Sequence, residues 1–186
     1  MRKLVVFNHM TLDGFFTDVK GDMSWAHRDD PEWNAFTTEN AGGGGELVFG
    51  RITYELMAGF WPTAYAIHSM PVVAERMNSL PKVVFSRTLD RASWKNTKLL
   101  KGDAAAEMRK LKKRPGPDMV ILGSGSIVAH LAQECLIDEY QVVVNPLVLG
   151  TGRTMFDGVK DRLALTLTRT RVFGNGNVLL CYEPAL

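Results

Sequence analysis

Short aliphatic runs that alternate with capped helical stretches constrain this chain more than any other feature. "KLVVFNHM" is a nearly continuous apolar run, as expected of a strand covered on both faces, and "ELVFG", "KVVFS", "DMVILG" and "DEYQVVVNPLVL" also read as strands. Helical segments lie between them. "DDPEWNAFTTENA" offers Asp29 or Asp30 as cap and Pro31 in the first turn, with Trp33 and Phe36 on one face. "RITYELMAGF" starts directly behind Gly50, and prolines close "PVVAERMNSLP" on both sides. "DAAAEMRKLKKR" runs from an acidic start to a basic end, which suits the helix dipole. "SIVAHLAQECL" follows a glycine pair. Near the C-terminus the character changes: "RLALTLTRTRVFG" and "NVLLCYE" alternate around "GNGN", the signature of an antiparallel hairpin. The expectation is an α/β fold of three layers, a mixed and mostly parallel sheet with an antiparallel C-terminal hairpin.

Bulk properties narrow the function classes. The 186 residues fit one domain over 1–186, with no repeat or low-complexity linker. A net charge of +2 points neither to a nucleic-acid surface nor to a polybasic membrane patch. The densest basic run, "RKLKKR", ends at Pro115 and reads as a solvated last helical turn. Two distant cysteines form no disulfide framework and no zinc spacing, and no apolar run reaches bilayer length, so a cytoplasmic protein is expected. The "GGGG" of 42–45 lacks a following Lys-Ser/Thr and reads as a connection, not a phosphate loop.

Open α/β sheets bind ligands beyond the carboxyl ends of their strands, where helix N-termini present free N–H groups. Three junctions of that kind carry suggestive residues. "FGRITY" brings Gly50, then Arg51 and Thr53, into the opening turn of a helix; Arg supplies a forked, permanent cation for phosphate. "VVFSRTL" brings Ser86 and Arg87 to a strand end, and "ILGSGSI" clears space with Gly123 and Gly125 before a helix. Together they point to an anionic, nucleotide-like ligand. "GSGSIV" lacks the third glycine of a Rossmann fingerprint, and the region where its ribose acid belongs reads "VVVNPLVLG". "GSGS" is also no G-x-S-x-G nucleophile elbow, and the four histidines are scattered without a metal-binding motif.

In this order the junctions resemble the dihydrofolate reductase-like superfamily, and more closely the C-terminal reductase domain of bacterial riboflavin biosynthesis (the RibD C-terminal-like group). The resemblance rests on "TLDGFFTD", "LVFGRITYELMAGFWP", "KVVFSRTL", "DMVILGSGSIVAHL" and "LIDEYQVVVNPLVLGTGRTMF". It implies a dihydrofolate reductase-like fold that binds NADPH across the strand ends. Gly50, Arg51 and Thr53 would then contact the adenosine phosphates, with Arg51 near the 2′-phosphate and Ser86 and Arg87 beside the same end. Gly123, Ser124, Gly125, Ser126 and Ile127 would hold the pyrophosphate.

On the substrate side the resemblance places Asp13 beside the nicotinamide, although Asp13-Gly14 is equally a plain turn. Trp25 and Asp30 match a Trp and acid five positions apart, so Asp30 could protonate or orient a heterocycle; before Pro31 it is also a good helix cap. Phe36 and Trp33 would line the pocket, with one of the two in the core, Trp61 in "GFWP" would form its rim, and Arg153 in "LGTGRTMF" would sit on a nearby loop. The zinc deaminase pattern that accompanies this reductase in the bifunctional enzyme is absent, so a stand-alone reductase is expected, with no metal and as a homodimer by analogy. The expected activity is NADPH-dependent hydride transfer to a small heterocyclic or carbonyl/imine compound of pterin, dihydrofolate or aminopyrimidine type. A nucleotide-binding module of the same fold without redox turnover is the alternative.

Overall fold

The computed structural model describes residues 1–185; Leu186, the last residue of the expected domain, lies outside the described residues. Ten strands and six α-helices alternate along it. The strands are β1 (Leu4–Thr11), β2 (Phe15–Thr17), β3 (Glu46–Gly50), β4 (Lys82–Phe85), β5 (Thr97–Leu100), β6 (Met119–Leu122), β7 (Glu139–Asn145), β8 (Arg153–Thr154), β9 (Leu165–Val172) and β10 (Val178–Pro184). The helices are α1 (Pro31–Gly42), α2 (Arg51–Phe60), α3 (Ala64–Ser69), α4 (Pro71–Ser79), α5 (Ala104–Lys113) and α6 (Gly125–Gln133).

Eight strands form one sheet in the order β5-β4-β3-β6-β1-β7-β10-β9, and β2 pairs with β8 apart from it. The first six are parallel. β10 runs antiparallel to both β7 and β9. The fold is therefore the three-layer α/β arrangement expected, with the hairpin at one edge. Because side chains alternate across a strand, the parallel strands supply two apolar faces. Leu4, Val6, Val48 and Ile121 pack against Met108 and Leu111 of α5 and Val128 and Leu131 of α6. On the opposite face Leu47, Phe49 and Val84 meet Tyr54 of α2 and Met77 of α4, while Val143 and Leu179 meet Trp33 and Phe36 of α1.

The structure adds elements the sequence pattern does not announce. β5 and α3 are four and six residues long and carry no clear periodicity. β7 stops at Asn145 and does not reach Leu149, because Pro146 has no N–H for a ladder. Among the described residues no helix is long and apolar enough to cross a membrane. The sheet order reverses around β1, which lies between β6 and β7, and this sets the crevice at the carboxyl ends of β1, β3 and β6.

Candidate functional site

The crevice is organised by the turn that follows β6. Gly123 and Ser124 are both left-handed, with φ of 59° and 58°. Glycine is required at 123 on two counts: its φ, and a Cβ there would lie 2.9 Å from the Thr53 side chain. Ser124 in this region is strained by roughly 1–2 kcal/mol, and hydrogen bonds hold it there. The Ser124 N–H donates to Thr53 Oγ1 at 2.9 Å. The Ser124 hydroxyl accepts from Gly50 N–H at 2.9 Å and donates to the Leu122 carbonyl at 3.0 Å. Gly50 lies close under Ile127, where a Cβ would approach Cγ1 to 3.0 Å. Thr53 and Ser124, expected as ligand contacts, thus stitch the β3–α2 junction to the β6–α6 junction through their side chains.

What the stitched junctions leave for a ligand is backbone N–H. The first-turn amides of a helix have no intrahelical acceptor. Neither α2 nor α6 has a side-chain cap, whereas Asp30, Thr63 and Asp103 cap α1, α3 and α5. Ser126 is exposed, while Gly125 is buried beneath the Phe16 ring, which a Cβ would meet at 2.7 Å.

Beside this cradle, Arg51, Glu55, Thr88, Leu89, Asp90 and Arg91 line an open groove of about 590 Å³. Arg51 pairs with Glu55 at 2.9 Å on an exposed surface. Ser86 accepts from the Leu89 and Thr88 amides at 2.9 and 3.2 Å, so its hydroxyl shapes the loop that carries Arg91. Arg87 is exposed and is not among the groove's lining residues; Arg91, four residues on, is.

The substrate-side candidates divide. Asp13 Oδ1 accepts from the Thr11 hydroxyl at 2.6 Å and from Leu149 N–H at 3.2 Å, and Oδ2 accepts from Gly150 N–H at 2.7 Å. The Thr11 bond chiefly, with these amides, holds the Asp13 carboxyl below the usual carboxylate range. It latches the loop after β1 to the loop after β7. Asp30 caps α1, its Oδ1 accepting from Trp33 N–H at 2.8 Å. Trp25 lies in a 3-10 turn, with its Nε1–H enclosed and without an acceptor in the protein. Phe36 is in the core with Trp33 and Phe173. Trp61 sits just past the far end of α2 from Gly50, its Nε1–H on Met57 Sδ at 3.1 Å, so it is not brought to the cradle. Arg153 is exposed on β8.

Residues that sequence reasoning passed over complete the crevice. His9 meets Asn145 Nδ2 at 3.2 Å, and burial pushes its imidazole down to about 4, so it is neutral at neutral pH. Asn145 ends β7 and Asn177 directly precedes β10, next to the Val144↔Val178 pair where the two strands meet. Both are fully buried, with Asn145 Oδ1 and both side-chain polar atoms of Asn177 lacking protein partners. Asn8 Oδ1 accepts from Gly123 N–H at 2.5 Å, and Nδ2 donates to the Gly123 carbonyl at 2.9 Å.

Comparison with known proteins agrees with this architecture. The Bacillus subtilis (strain 168) protein YyaP is 28% identical over 183 residues, covering 98% of this chain and 95% of its own length. YwjB of the same organism is 25% identical over 173 residues, 93% of each chain. Among solved structures, a protein from Shewanella sp. PV-4 assigned to riboflavin biosynthesis superposes with a TM-score of 0.72 at 22% identity, covering 99% of both chains. The Thermotoga maritima diaminohydroxyphosphoribosylaminopyrimidine deaminase/5-amino-6-(5-phosphoribosylamino)uracil reductase superposes with a TM-score of 0.69 at 14% identity. That match covers 99% of this chain and 57% of the Thermotoga chain. The sequence profile of the RibD C-terminal domain matches residues 2–179, and the chain belongs to that family.

Proposed function

We propose that this protein is an NADPH-dependent reductase of a small heterocyclic or carbonyl/imine compound, the substrate lying at the carboxyl ends of β1 and β7. The observation that carries the reading is the pair of uncapped helix N-termini, stitched together by Ser124 and Thr53, beside a groove with two arginines. These residues fit a dinucleotide phosphate. Glycines at 50 and 123 bring the backbone close, and the amides opening α2 and α6 face a pyrophosphate with the positive helix ends. Arg51 and Arg91 supply forked cations for a 2′-phosphate, with Arg51 exchanging its exposed Glu55 partner for the stronger anion. When bound, NADPH supplies the hydride; the protein orients the acceptor and excludes water.

Proton supply narrows to few groups. Asp13 is held ionised by its donors and His9 is held neutral by burial, so neither delivers a proton at neutral pH. Asp30, at the start of α1 beside Gly174, orients the heterocycle, and the product takes its proton from water. One observation favours the alternative of a nucleotide-binding module without turnover: both candidate carboxylates already serve the fold, as latch and as cap.

The test is titration with NADPH and NADH, followed by energy transfer from the tryptophans, then turnover on pterin, dihydrofolate and aminopyrimidine compounds. Binding of NADPH with oxidation by one of these compounds is expected. Absence of binding overturns the reading, and tight binding without oxidation selects the module. Arg51→Ala should weaken NADPH by about 10- to 100-fold, the worth of one charge-assisted contact, and leave NADH nearly unchanged. An equal loss for both removes Arg51 from the 2′-phosphate.

A further inference from the structure

β1 and β6 run parallel and in register from Leu4↔Met119 to Phe7↔Leu122. At the next position β6 leaves the sheet, because Gly123 and Ser124 are left-handed, and the backbone ladder cannot continue. Asn8 continues it with a side chain. One carboxamide bonds both polar groups of one residue, accepting from Gly123 N–H and donating to Gly123 C=O, while Nδ2 also reaches Met155 Sδ at 3.1 Å. Asn8 is only 5% exposed, so it has almost no surface to offer a ligand.

The chemistry of this lock is specific. An aspartate would keep the acceptor for Gly123 N–H but would set an oxygen against the Gly123 carbonyl. A leucine would leave the half-buried Gly123 N–H and C=O without their partner, so that only solvent could replace the two bonds. Thr53 holds the same turn from α2 through Ser124 N–H, and the Ser124 hydroxyl holds it from β3 through Gly50. Asn8 fixes it from β1, on the side away from Thr53. The direction in which the first amides of α6 point depends on the two left-handed residues that precede them.

Resting on the cofactor reading above, we infer that Asn8 is a positioning residue of the nucleotide cradle. It acts through the Gly123–Ser124 turn on the Gly125 and Ser126 amides and does not touch the ligand. Its effect belongs to the pyrophosphate and not to the 2′-phosphate groove, which lies at the β3 and β4 ends.

The experiment compares the parent protein with Asn8→Asp and Asn8→Ala, the smaller side chain leaving room for water at Gly123. Dissociation constants for NADPH and NADH are measured well below each melting temperature, with amide resonances followed by NMR. Expected are variants that melt cooperatively, bind both nucleotides about tenfold or more weakly by the same factor, and show displaced Gly125 and Ser126 resonances. A merely structural role would lower the melting temperature and leave both affinities unchanged; that result overturns the inference, as does a loss confined to NADPH. Should neither variant fold, the Asn8 side-chain and Gly123 amide resonances of the parent decide: they must shift on adding NADPH, and unshifted resonances overturn the role. A parent that binds neither nucleotide overturns the cofactor reading and this role with it. A parent that binds beside folded variants of equal affinity overturns this role alone.

Discussion

Two buried ionisable side chains show how single residues tie the fold to pH. Lys82, 1% exposed at the start of β4, donates from Nζ to the carbonyls of Asn78, Leu80 and Lys95 at 3.1, 2.7 and 3.1 Å. It also lies 4.5 Å over the Trp94 ring. Removing the ammonium leaves three carbonyls short of a donor, so Lys82→Met should destabilise by about 2–4 kcal/mol in urea unfolding. Burial pushes the Lys82 amine down to about 8 from its ordinary 10.5. Between those values the unfolded chain binds more protons, so parent stability should rise from about pH 8 to above pH 10. That slope should vanish in Lys82→Met. His9 has the same sense at acid pH. Its folded value of about 4 lies below the ordinary 6.5, so stability is lost as pH falls across that interval, on the order of 3 kcal/mol in all. His9→Gln should flatten the acid limb of a stability–pH curve, and an unchanged limb would assign the loss to other groups.

At the scale of elements, what was legible in the sequence follows from where each element draws its stability. β1, β3, β4, β6 and β7 are runs in which every residue is buried or half-buried, and "GNGN" closes the β9–β10 hairpin with Gly176 at φ 87°. β2 and β8 are three and two residues long and exist because they pair with each other across the fold, which no local pattern encodes. The site divides likewise. Gly50 and Gly123 stand out as glycines between strand and helix, whereas the Thr53–Ser124 bond joins residues 71 apart in the chain. Nothing in the local sequence distinguishes Arg91 from other loop cations or Asn8 from other strand residues. The β2–β8 pair gives a direct test. A Cβ at Gly152 would lie 2.3 Å from the Thr17 carbonyl, so Gly152→Ala must separate the two strands. The Asp13 latch holds the same loops, and Asp13→Asn should speed hydrogen exchange at the Leu149 and Gly150 amides. Because its folded pKa is lowered, the latch is complete above the ordinary carboxylate range and lost as pH falls through the lowered value. Protection of these two amides in the parent, taken relative to the intrinsic exchange rate at each pH, should therefore fall in acid, and Asp13→Asn should lack that extra fall.

At the scale of the whole molecule, the cradle joins parts of the chain that otherwise meet only through the sheet. α2 lies on one face and α6 on the other, and they approach at the carboxyl edge where Gly50, Thr53 and Ser124 interlock. A ligand spanning both helix N-termini therefore binds the folded chain and has no counterpart site in the unfolded one. On the proposed function, NADPH at a hundredfold its dissociation constant should add, by mass action, about 2.7 kcal/mol to the stability of the folded state. For a chain of this length each kcal/mol moves the melting temperature by about 2–4 °C, so a rise of roughly 5–11 °C is expected. NADH at the same concentration should raise it less, by the share of binding that Arg51 and Arg91 contribute to the 2′-phosphate. In Arg51→Ala the NADPH shift should fall most of the way to the NADH value, with Arg91 keeping the remainder, while the NADH shift stays as in the parent. An unchanged NADPH shift, or equal shifts in the parent, would mean that the arginine groove recognises something other than the 2′-phosphate.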